Sequence, residues 1–378
     1  VYALRVARLG YDAAQQAQQL AKDPKAGFAV NVGFASSRSE QRQTTTQSIS
    51  VPSSVVADGD VRIDAHGRAA GSSGDLGIAG SVVRGADVSL TAAGATQDVT
   101  TLQSSLSTSN AGAGVTLGWS PGGGAGVGFY VQGGRGSGRE NGQSVANVET
   151  LVSARGDLVM QSGRDTTLAG AIASGETVTA TVGRNLVLQS LQDVETYESR
   201  NQQAGGRIVF GPTGMPSGIG AQAVQSRTDS DYASVREQTA IGAGSGGFDI
   251  LVGGSTNLAG AVIDSTASPD RNVLSTGTLT FSNIQNRAEY SSSTVGAQAG
   301  VGVGPGGAIR PGVPAPILGT GGSGKEESTT YAAVAPGTLE IRNPQAQPQD
   351  VTTLSRTPAS AHEALERIFD KKTVAERQ

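Results

Sequence analysis

Two histidines and no cysteine set the outer limit on the chemistry this 378-residue chain can do. A zinc site or a nucleophilic triad needs several such side chains to converge. His66 and His362 are isolated from each other, and thiolate chemistry is excluded altogether. Carboxylates are the remaining catalytic material. Those that recur, Asp60, Asp157 and Asp249, stand in Gly59-Asp60-Val61, Gly156-Asp157-Leu158 and Gly247-Phe248-Asp249-Ile250, each opening a short apolar alternation. Aspartate in that place caps a turn before a strand. The sequence therefore predicts no enzyme, no cofactor and no metal site; a polysaccharide-cleaving enzyme, the catalytic alternative, would need a cluster of acids on one sheet.

Other motifs resolve the same way. Arg155-Gly156-Asp157 spells the tripeptide that integrins recognise, but its Gly-Asp holds the turn position of Gly59-Asp60. The glycine runs 122–128 and 300–307 do not lead from a strand into a helix bearing Lys and Ser/Thr, as a phosphate-cradling loop must. Hairpin tips and a linker account for them.

The elements that carry these turns repeat. Asp75 to Val83, Asp165 to Ala173 and Ser255 to Ile263 are similar segments spaced by 90 residues, with Gly80, Gly170 and Gly260 at matching places. Inside one unit, Gly163-Arg164-Asp165 returns as Gly183-Arg184-Asn185, 20 residues on. A fixed short period of alternating strands with Gly, Asn and Asp at the corners fits one coil of a solenoid. The fold class expected is all-β: a right-handed parallel β-helix with projecting β-hairpin insertions and short α-helices at both ends. An antiparallel sandwich is the alternative, but it leaves the short period unexplained.

Composition agrees with a fold of small, regular contacts. Glycine supplies 55 residues, aromatics 4% and charged residues 16% against a usual quarter. Net charge is −4 and the basic residues, almost all Arg, are spread singly, so the sequence shows no stripe to neutralise phosphates and predicts no nucleic-acid partner. It contains no apolar run long enough for a membrane helix and no signal peptide. The expectation is an internal fragment.

Between the coil groups lie longer alternating segments. Phe28, Val30, Val32 and Phe34 mark one; Val115, Leu117 and Trp119, answered after a glycine-rich turn by Val127, Phe129 and Val131, mark a hairpin; Ile208 and Phe210 mark a third. These twelve residues are the candidate site, as hairpin positions that either pack on the flank of the helix or contact a membrane. The chain divides into a helical segment 1–23, a hairpin insertion 24–56, the repeat β-helix with hairpins 57–299, a Gly/Pro-rich linker 300–325 and a junction 326–378 that ends in a charged helix from about Ala359.

Three stretches carry a family resemblance: Tyr232-Ala233-Ser234-Val235-Arg236-Glu237-Gln238, the run from Leu258 through Ala267 to Leu274–Asn286, and Gly337 to Arg342 with Ile368-Phe369-Asp370-Lys371. The chain resembles the haemagglutinin-repeat region of two-partner-secreted exoproteins, especially contact-dependent growth-inhibition effectors. That resemblance implies a secreted, surface-borne stalk that engages the target cell's outer membrane or a surface receptor and helps a C-terminal toxin inward. It also implies an outer-membrane secretion partner and a toxin domain in cis. A filamentous adhesin spacer binding cell surfaces or glycans is the alternative.

Overall fold

The computed structural model describes residues 32–47, 53–65, 76–78, 80–92, 100–117, 129–210, 216–303, 308–319 and 321–369. Among them the chain is all-β, and it alternates between a parallel sheet of short strands, curled on itself, and an antiparallel sheet of long ones. It opens with long β1 (Val32–Gln47), then the short β2 (Ser54–Val56), β3 (Val61–Asp64), β4 (Val82–Gly85) and β5 (Val88–Ala92). Long β6 (Thr100–Leu117) and β7 (Phe129–Ala146) follow. The chain then returns to the curled sheet with β8 (Thr150–Ala154), β9 (Asp157–Ser162), β10 (Thr166–Ala169), β11 (Ala171–Val182) and β12 (Leu186–Gln189). Long β13 (Gln192–Phe210) and β14 (Pro216–Val235) leave it; β15 (Ala240–Ala259), β16 (Val262–Ser265) and β17 (Val273–Ser282) rejoin it. Long β18 (Ile284–Val303) pairs with β19 (Ile309–Pro311), β20 (Ala315–Leu318) and β21 (Gly322–Thr330), and β22 (Ala333–Val334) and β23 (Thr338–Ile341) complete the curled sheet.

Register explains both sequence periods. Asp157 pairs with Thr177 and Thr166 with Leu186, each 20 residues on, whereas Leu186 pairs with Thr256, 70 residues on. The short step is one coil; the long step is a coil plus the β13–β14 strand pair. One of each makes the 90-residue recurrence.

Strand alternation turns every second side chain inward, and parallel pairing stacks those residues coil over coil. Val83, Val152, Ala173, Ile241, Ile263 and Val334 form one buried column; Val88, Leu158, Val178 and Phe248 form another. Each large side chain buried in this way contributes about 1.5–3 kcal/mol. No coil can bury its inner face alone, so stability is close to a sum over neighbouring coils.

Polar ladders fasten the corners. Asp87 N–H donates to the Asp60 carboxylate (3.4 Å) and Asp157 N–H to that of Asp87 (2.8 Å). At another corner Asn185 donates its backbone and side-chain N–H to Asp165 (3.1 Å each), and Ser255 N–H donates to Asn185 Oδ1 (3.0 Å). The Asp60 carboxylate thus ties its own turn to that of the next coil. The Arg155-Gly156-Asp157 tripeptide is part of the same masonry: Arg155 donates to Asp58 O, and Gly156 N–H to Ala86 O (2.8 Å).

Two expectations need adjustment; a third, the helix over 1–23, lies outside the described residues. The Gly/Pro-rich stretch contributes β19 and β20, both paired with β18, and the curled sheet runs past residue 299 to β23. The C-terminal helix is not formed between Ala359 and Phe369: a single 3-10 turn at Pro358–Ser360 gives way to irregular chain. The reason is that its backbone groups are bonded elsewhere. Leu365 N–H donates to Ser234 Oγ (3.0 Å), Tyr232 Oη–H donates to Leu365 O (2.9 Å) and Ser328 Oγ–H to Glu363 O (2.6 Å), leaving them unable to build a helical turn.

Candidate functional site

The antiparallel sheet runs β1-β6-β7-β13-β14-β18, and its register gathers the candidate residues into rows. Phe34 pairs with Val115, Val115 with Val131, Val131 with Ile208, Ile208 with Ile219 and Ile219 with Val301. The neighbouring row is Val32, Leu117, Phe129, Phe210 and Pro216. Residues from four separate excursions of the chain therefore stand together at the end of the sheet nearest the turns. Ile208 and Ile219 are exposed there. Phe28, Val30, Trp119 and Val127 lie outside the described residues. Ile219 belongs to the apolar row but was not singled out in the sequence, and Val301 joins it from the Gly/Ala/Val run Val295 to Val303.

Eight residues back from this row lies a second one that the sequence did not suggest. Arg139 pairs with Arg200 and Arg200 with Arg227, while Arg42 stands in the same row one strand beyond Ser107. Scattered singly along the chain, the arginines are aligned by folding. Their signal in the sequence was equal spacing: Val131 to Arg139, Arg200 to Ile208 and Ile219 to Arg227 each span eight residues.

The other end of the sheet, where it meets the coils, is dry and tied. Asn286, almost fully buried, donates to Ser328 Oγ (3.1 Å) and Thr330 Oγ1 (2.9 Å), while its Oδ1 accepts from Val235 N–H (3.0 Å) and Gln192 Nε2 (3.2 Å). One side chain thereby joins β13, β14, β18 and β21. Across it runs the 361–369 strap. The Arg367 guanidinium sits 5.6 Å from the Tyr232 ring centroid and 3.2 Å from Glu195, and Phe369 packs against Tyr197 and Tyr290 at 5.1 and 6.2 Å between centroids. Burial, reinforced by Glu140, pushes the Tyr197 hydroxyl well above the usual phenol range.

No group of three or more His, Asp or Glu side chains is placed to hold a metal among the described residues, and no helix there is long and apolar enough to cross a membrane. The latter says nothing of strands.

The haemagglutinin-repeat family model matches residues 32–205. A Toxin CdiA of Escherichia coli is 38% identical over 94% of the chain, and a Deoxyribonuclease CdiA of Yersinia pseudotuberculosis is 38% identical over 95%. The chain belongs to the haemagglutinin-repeat region of CdiA exoproteins. It spans 12% and 34% of the length of those two relatives. A tRNA nuclease CdiA of Escherichia coli strain NC101 is 36% identical over 93% of the chain. Relatives named for DNA cleavage and for tRNA cleavage thus share this one segment at similar identity, so the segment is not what separates those activities. No solved structure matches the chain.

Proposed function

We propose that this segment is a non-enzymatic stalk and delivery element of a secreted, surface-borne contact-dependent growth-inhibition effector. It is a right-handed parallel β-helix running from β2 to β23, whose hairpin insertions engage the target cell's outer membrane while a toxin domain in cis is passed inward. The segment after β23 is the junction that leads toward the toxin, and the outer-membrane partner of a two-partner system exports the whole. The observation that carries this reading is the apolar row: four excursions, distant in sequence, bring Phe34, Val115, Val131, Ile208, Ile219 and Val301 into line at the outer end of one sheet. An element that served only to space out a filament has no need to align them.

The test uses the single tryptophan, Trp119, two residues beyond the end of β6. Its emission is recorded in buffer, with vesicles of outer-membrane lipid, and again for an Ile208→Ser/Ile219→Ser variant. A blue shift with vesicles, reduced in the variant, is the expected outcome. An unchanged spectrum in the presence of vesicles would overturn membrane contact and leave the adhesive spacer.

A further inference from the structure

The arginine row is costly as it stands. Residues directly opposite on neighbouring antiparallel strands have Cβ atoms about 4.5–5.5 Å apart, and like charges there repel. Three arginines in succession, Arg139, Arg200 and Arg227, occupy such positions. Arg200 and Arg227 each meet a carboxylate on their own strand, Glu198 and Asp229, both at 2.6 Å. These pairs are more than half exposed at the arginine, where an ion pair contributes little. Arg139 is exposed, with no carboxylate bound to it among the described residues.

The sheet's two faces differ. On the arginine face Gln202, Ala204 and Ile208 of β13 and Ile219, Ala223 and Gln225 of β14 are all exposed. On the opposite face Ser199, Thr228 and Ala288 are buried, and the strap covers Tyr197 and Tyr232. The open face thus has a row of cations at one end, apolar side chains about 27 Å away at the other, and between them uncharged residues with one further exposed cation, Arg135.

The geometry points to a phosphate-bearing anionic lipid surface as the occupant of this face, with Arg139, Arg200 and Arg227 meeting phosphate groups and Ile208 and Ile219 dipping into the acyl boundary. The inference rests on the membrane reading above and adds the chemistry and orientation of the contact. A second copy stacked on the face would set cations against cations. A nucleic acid would leave the apolar row unused and find no aromatic side chain among the exposed residues named above to stack on. A lipid surface uses both ends, as interfacial proteins do.

The experiment measures flotation of the 378-residue chain with phosphatidylcholine vesicles and with vesicles containing cardiolipin, for wild type, Arg139→Gln/Arg200→Gln/Arg227→Gln and the matching triple Lys variant. Wild type should prefer the anionic vesicles, the triple Gln variant should lose about a hundredfold in that binding, and the Lys variant should keep most of it. Raising the salt should bring wild type toward the Gln variant. Wild type that binds both vesicles equally, with only Ile208→Ser/Ile219→Ser weakening it, sinks the arginine contact but leaves the membrane reading. Binding to neither sinks both. Strong competition by soluble inositol hexakisphosphate or duplex DNA, with no binding to vesicles, would assign the row to a soluble polyanion and overturn the proposal. Thermal unfolding of each variant confirms that it is folded.

Discussion

Gly260 lies beneath Ile284: a Cβ added to the glycine would come within 2.7 Å of the isoleucine Cδ1. The glycine also has φ +55°, in the left-handed region, and its counterparts Gly80 and Gly170, at 90-residue intervals, have φ +51° and +58°. Gly170 lies under Leu191 in the same manner. Gly170 and Gly260 turn the chain from one strand of the curled sheet to the next, β10 to β11 and β15 to β16, and each is roofed by an aliphatic side chain at the root of a long strand, Leu191 before β13 and Ile284 opening β18.

Replacing Gly260 by alanine should lower stability by about 2–4 kcal/mol, combining left-handed strain with overpacking. In the Ile284→Ala background the same replacement should cost less, because only the backbone strain remains. Denaturant midpoints of the four proteins check this; strictly additive costs would show that the roof contact is unimportant.

The Asp165 corner carries a pH signature. Burial alone would raise its carboxyl, but hydrogen bonds from Asn185 and the Arg184 guanidinium outweigh that and hold it below its ordinary value of 3.8. A depressed folded value means stabilisation that is present above the ordinary value and lost as pH falls through the folded one. Asp165→Asn should therefore be less stable than wild type at pH 7, with the difference shrinking below about pH 4. A constant difference from pH 7 down to pH 2 would refute the ionic part of the ladder.

Asn286→Ala removes the acceptor of Val235 N–H and the donor to three oxygens, Glu363 O among them at 3.4 Å. Leaving such buried groups unpaired costs about 1–3 kcal/mol. The effect should be local. Amide exchange at Leu365, bonded to Ser234, and at Val235 should accelerate while Leu188 and Leu258 in the coil core stay protected. Unchanged exchange at Leu365 would mean that the strap holds without this junction.

Local signals made the solenoid legible. The corner residues Gly163, Asp165 and Asn185 and the inward alternation of Leu186 and Leu188 are read within a few positions of one another, and their spacing is the coil. The 90-residue recurrence was visible, but its division into a 20-residue and a 70-residue step depends on which strands pair. Cross-strand register was the blind spot. Arg139, Arg200 and Arg227 look dispersed until β13 is laid against β7 and β14 against β13. The apolar pairs were found because each is a local alternation; their assembly into one row was not. The terminal helix failed for another reason: the spacing around Leu365 suits a helix, but Ser234, Tyr232 and Ser328 compete successfully for its backbone.

The antiparallel sheet pairs strands that belong to different coils: β7 with β13, and β14 with β18. Successive repeats are consequently sewn along two seams, the stacked coils and the ladders between their long strands. A pull along the stacking direction of the coils loads both together, so a repeat cannot be peeled away one coil at a time; the stitch on the outside has to open before the stack on the inside can part.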